Sequence, residues 1–163
     1  MKSDYLKFWR VIRYFVQAKY GLNQQDLDML LFLYSEMYFS KKDFAEFDSL
    51  LSWDKNRFER LRHDGWIENF RVKLNTRRAI YRLSIKATRM IKSIYNKLEG
   101  QEIPMAHQNN PMYKRNVGYT DKVYRNMITK MNKAIRDHKL NNNNDIAFLD
   151  DWVLYVMYNH SVP

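Results

Sequence analysis

Lys55, Asn56, Arg57, Arg60 and His63 fall within nine positions, and Arg71, Lys73, Arg77, Arg78 and Arg82 follow within the next twenty. A guanidinium group can form paired hydrogen bonds to a phosphate or to the acceptor edge of guanine. A carboxamide can do the same for adenine, and an ammonium group acts as a mobile point charge. These side chains belong to a local excess of charge. Residues 51–100 hold 13 of the 28 Lys and Arg but 5 of the 18 Asp and Glu, which is +8 of the chain's net +10. A cationic surface confined to one part of a folded chain attracts a polyanion.

The elements that must position these residues are readable from period and punctuation. Tyr5, Phe8, Trp9, Ile12, Phe15 and Val16 recur at amphipathic-helix spacing, and Gly21 is a natural stop. Asn23 predicts the cap of a second helix, with Asp26 in its first turn and Leu27, Leu30, Leu31, Leu33 and Tyr34 on its apolar side. Ser40 predicts a short third helix over 41–50 that buries Phe44, Phe47 and Leu50. Ser52 predicts a fourth over 53–64, ended by Gly65.

Past Gly65 the pattern becomes extended. Residues 66–74 and 78–84 predict two strands joined near Asn75 and Thr76, with Trp66, Phe70 and Tyr81 directed to the core. Ser84 then predicts a fifth helix over 85–98, with Met90, Ile91, Ile94, Tyr95 and Leu98 on its apolar side. Residues 100–119 contain Pro104, Pro111 and Gly118 and predict a linker. Beyond it come helices over 121–138 and 146–158, separated by a loop at Asn141–Asn144. The division expected is a helical and hairpin domain over 1–99, the linker, and a helical extension over 120–163 that packs or oligomerises.

Helix, helix, short helix, helix, hairpin, helix is the order of a winged helix-turn-helix. The fold class expected is therefore mainly α with a small β-hairpin, with additional N- and C-terminal helices. Turning Phe58 and Leu61 inward at helical spacing directs Asn56, Glu59, Arg60 and His63 outward, with Lys55 and Arg57 flanking. On this reading Asn56, Arg60 and His63 contact bases, while Lys55, Arg57, Arg71, Lys73, Arg78 and Arg82 contact phosphates. It requires those cations to be displayed together, unneutralised by acids.

Lys42-Asp43-Phe44-Ala45, then Leu61-Arg62-His63-Asp64-Gly65-Trp66-Ile67, then Asn75-Thr76-Arg77 followed by Leu83-Ser84, stand in a characteristic order. With these features residues 22–98 resemble the MarR family of winged-helix transcription regulators. The resemblance implies that 53–64 is a recognition helix and that Arg77 is a wing arginine entering the minor groove. Asn75 stands where that family commonly has an acid.

The chain has no Cys, and its four His lack metal-ligand spacing, so no metal or cofactor is expected. No phosphate-binding loop or nucleophile motif is present, and the expectation is a non-enzyme. No apolar run reaches the length of a membrane span, which predicts a cytoplasmic, nucleoid or virion location. The leading expectation is a regulator that binds double-stranded DNA as a homodimer or larger assembly. The alternative is a structural or assembly component of a phage particle or other nucleoprotein complex, favoured by the aromatic-rich segment 152–158.

Overall fold

The computed structural model describes residues 4–51, 54–72 and 78–159, with side chains through Asn142. The protein is mainly helical with one small antiparallel sheet. In chain order the elements are α1 (Trp9–Tyr20), α2 (Gln24–Glu36), β1 (Tyr38–Phe39), α3 (Lys41–Leu51), α4 (Arg57–His63), β2 (Ile67–Arg71), β3 (Ile80–Leu83), α5 (Ile85–Leu98) and α6 (Tyr119–Asn159). No helix among the described residues is long and apolar enough to cross a membrane.

Local signals set most of the boundaries. The Asn23 side chain accepts the Asp26 N–H at 2.7 Å, and the Ser84 hydroxyl accepts the Ala87 N–H at 3.2 Å, so each caps its helix as expected. Gly21 closes α1 in the left-handed region at φ 66°. β3 is the central strand, between β1 and β2. Tyr38 pairs with Arg82 and Phe39 with Tyr81 on one side, and Ile67 pairs with Leu83 and Glu68 with Arg82 on the other. β1 follows Met37, whose positive φ of 60° turns the chain out of α2 and into the sheet.

Several expected boundaries are corrected. The strands expected over 66–74 and 78–84 are shorter, Ile67–Arg71 and Ile80–Leu83, and the ribbon tip at 73–77 lies outside the described residues. Phe70 is half-exposed beside Tyr38 and takes no part in the core, although Trp66 does. Leu50 is exposed, because the buried side of α3 is formed by Phe44 and Asp48. On α5, Tyr95 is exposed and Lys97 is buried in its place. The helices expected over 121–138 and 146–158 are one continuous helix, with the asparagine run inside it.

The core joins α1, α2 and α5, with Ile12, Phe15, Leu27, Leu30, Met90 and Ile91 fully enclosed. The segment expected as a linker is packed against this body, since Ile103 and Met112 are buried in the same cluster as Ile128, Met131 and Ile135 of α6. Gly100 begins it at φ 97°, and a Cβ there would lie 2.8 Å from the Tyr5 ring, so a larger residue would be both strained and crowded. Asn132 of α6 then clamps the segment: its Oδ1 accepts the Ile103 N–H at 3.0 Å, and its Nδ2 donates to the Ile103 carbonyl at 2.9 Å. Asn132→Ala is expected to leave both buried backbone groups unpaired and to cost about 2–4 kcal/mol, measured by urea denaturation. A loss below about 0.5 kcal/mol would mean that water replaces the carboxamide.

Candidate nucleic-acid interface

α4 is only seven residues long, shorter than the 53–64 helix expected. The chain before it is held in a turn by acids. Asp48 Oδ2 accepts the Asp54 N–H at 3.2 Å, Asp54 Oδ1 accepts the Asn56 N–H at 3.0 Å, and the Asp54 carbonyl accepts the Arg57 N–H at 3.2 Å. Lys55 and Asn56 are left exposed in that turn, and the Asn56 side chain makes no cap hydrogen bond. Ser52 and Trp53 lie outside the described residues.

Arg57 is the main correction to the expected interface. It does not flank an exposed face; it is 3% exposed, with its Nε 3.2 Å from Asp26 Oδ1 and its Nη1 bonded to Asp48 Oδ1. The reason is geometric: Arg57 starts α4 on the same side as Phe58 and Leu61, where α2 and α3 present two buried carboxylates. Arg60 joins this network with its Nη2 at 2.9 Å from Asp26 and its Nη1 at 3.0 Å from Asp54. Bonding to Asp26 and then Asp54 strengthens the hold of Arg60 on its proton. The Asp54 carboxyl is lowered in pKa chiefly by the Asn56 N–H and then by Arg60. Arg60 remains partly exposed, but both ends of its fork are occupied, which works against the base-reading role expected of it.

The outer side of α4 is close to electrically balanced. Glu59 bonds Lys41 at 2.6 Å and Arg62 at 3.1 Å, and Lys41 is the main cause of its lowered pKa. His63 is almost fully exposed, with Nδ1 at 3.4 Å from Asp64. On the ribbon, Arg82 pairs with Glu68 at 2.7 Å.

Two ribbon cations differ. Arg71 and Arg78 are exposed and bond no carboxylate among the described residues; Arg71 Nη2 reaches only the Arg78 carbonyl, at 3.4 Å. Arg78 also helps to lower the pKa of Asp43, a shift caused first by the Ser40 N–H, which places the outer end of the ribbon beside the first turn of α3. The same turn bridges to α4 through Lys41 and Glu59. The outer end of the ribbon therefore meets the start of α3, which in turn meets α4, and Lys42, Lys55, Asn56, His63, Arg71 and Arg78 of these elements are exposed. Lys73 and Arg77, expected at the tip, lie outside the described residues.

Sequence reasoning missed Asp26 and Asp48 as partners. Asp26 was already explained as a first-turn acid, and nothing local connects it to an arginine 31 positions away. Of the other cations of 51–100, Lys86 stacks 3.9 Å from the Trp66 ring centroid and donates to the Asp64 carbonyl at 3.1 Å, and Lys97 is buried. The chain matches no protein-family model, no curated protein and no solved structure.

Proposed function

We propose that the protein is a winged helix-turn-helix module that binds double-stranded DNA mainly through its ribbon, with α4 lying against the duplex. The order α2, β1, α3, α4, β2, β3 supports the fold assignment, with the ribbon as the wing. The observation that carries the functional reading is the pair Arg71 and Arg78, cations that bond no carboxylate among the described residues, at the outer end of the ribbon, next to Lys73 and Arg77 in sequence. Such cations neutralise phosphates and release counterions, which makes binding strong at low salt and largely indifferent to sequence.

α4 has a different role from the one its composition suggests. Arg57 and Arg60 brace it against α2 and α3, and base contact falls to Lys55, Asn56 and His63. This predicts modest sequence preference on a substantial electrostatic grip. A regulator acting at preferred sites, like the MarR proteins that residues 22–98 resemble, remains the form of the proposal.

The test is fluorescence anisotropy on random and selected duplexes across a salt titration. Arg71→Ala combined with Arg78→Ala is expected to weaken binding equally on all sequences and to reduce the salt slope by about 2. Asn56→Ala is expected to change preference among duplexes while leaving that slope intact. An unchanged slope in the double variant would remove the ribbon from the interface.

The acid pairing of Arg57, Arg60 and Arg82 favours a second reading, a docking module within a larger nucleoprotein assembly. No salt-dependent duplex binding by the wild-type chain would decide for it.

A further inference from the structure

Away from α4, the end of α2, the sheet and α5 enclose an open groove of about 560 Å³. Its apolar wall includes Met37, Tyr38 and Ile85, which are 67%, 48% and 66% exposed. Arg89 and Lys92 lie along the α5 side, exposed and without an ion-pair partner among the described residues. Glu68 on the sheet side is already neutralised by Arg82 at 2.7 Å. Exposed apolar side chains gathered beside two free cations suit an apolar, acidic helix.

The chain contains such a segment. After Lys139 the sequence has no Lys or Arg, while Asp145, Asp150 and Asp151 punctuate an apolar and aromatic stretch. Ile146, Leu149, Val153 and Met157 are spaced three, four and four apart, the repeat of one helical stripe, and Asp150 borders that stripe by the same count. α6 contains this stretch in one continuous helix running outward from the core. Ile135 is the last buried residue among those with described side chains, His138 still meets the Tyr5 ring at 6.3 Å, and 139–142 are exposed. A continuous helix at about 1.5 Å per residue carries 145–158 roughly 15–35 Å beyond Ile135. That distance puts it within reach of another molecule.

We infer that residues 145–158 of one copy dock in the α2, sheet and α5 groove of a second copy, with Asp150, at the border of the stripe, facing Arg89 and Lys92. The apolar stripe covers Met37, Tyr38 and Ile85, and the exchange is reciprocal, as a closed dimer requires. The charge pairs fix the register of the helix in the groove, while the apolar contact gives most of the affinity.

Light scattering and sedimentation on the full chain test this. The wild type is expected to be dimeric at about 100 μM, in the range of ordinary protein association. Arg89→Glu with Lys92→Glu is expected to weaken the dimer at least about tenfold, and so is Asp150→Lys. All three changes in one chain are expected to restore it, a result that a folding defect cannot imitate. Leu149→Glu in the full chain should also yield monomer, with its circular dichroism checked against wild type. A monomeric wild type, charge reversals without effect, or failure of the three-site variant to recover would each overturn the inference. Neither reversal touches Arg71, Arg78 or α4, so duplex binding is read separately.

Discussion

Arg57→Ala is expected to destabilise the protein by about 3–5 kcal/mol, the range for removing one partner from a buried ion pair. The cost arises from what remains. Asp26 and Asp48 would both stay enclosed with their charges, and only Asp26 would keep a guanidinium, that of Arg60 at 2.9 Å. In a chain of this size the loss corresponds to a fall in Tm of order 10 °C, measurable by thermal denaturation. Arg57→Met alone offers no relief, because the acids persist; changing Asp48 to Leu in the same chain should recover part of the loss. The same variant separates two roles for Arg57. A surface phosphate contact would lose duplex affinity at unchanged stability, whereas a brace loses stability first. A change below about 1 kcal/mol would mean that the network is solvated.

Legibility followed the range over which each feature is determined. The caps at Asn23 and Ser84 and the glycines closing α1 and α4 were readable because each satisfies backbone groups within a turn of itself. β1 was not, since Tyr38 and Phe39 become a strand only by pairing with Arg82 and Tyr81, more than forty positions away. The same holds for Arg57: spacing places it near the edge of an apolar face, but only the packing of α2 and α3 brings the carboxylates of Asp26 and Asp48 to it. Composition located the charge surplus correctly as a segment. It could not divide that surplus among a paired network, an exposed ribbon, a groove wall and a buried amine. Segment 100–119 was misread for a related reason. Proline and asparagine mark departure from helix, and Asn110 uses that property to stay fully buried while donating to the Pro104 carbonyl at 2.9 Å.

Lys97 gives the second large effect, and its sign is opposite to that of Arg57. It is 4% exposed on α5, with Nζ 2.8 Å from Ser93 Oγ, 3.4 Å from the Ser93 carbonyl and 5.4 Å from the centroid of the Phe15 ring. No carboxylate among the described residues pairs with it. Burial, reinforced by repulsion from Lys19, lowers its pKa from 10.5 to about 8. Because the folded value is the lower one, the unfolded chain binds more protons between the two, and stability rises with pH through that window. Above pH 10.5 both states are neutral and the penalty is gone; below about 8 it is fully present. Lys97→Met keeps the length and removes the charge, so it is expected to stabilise the protein at pH 7, by up to about 3 kcal/mol. The advantage should shrink steadily as pH rises from about 8 to 10.5, because only the wild type gains there. Urea denaturation of both proteins at several pH values reads the difference directly. Parallel stability curves would show that the ammonium group reaches water in the folded state, and that α5 carries no buried charge between Phe15 and Ser93.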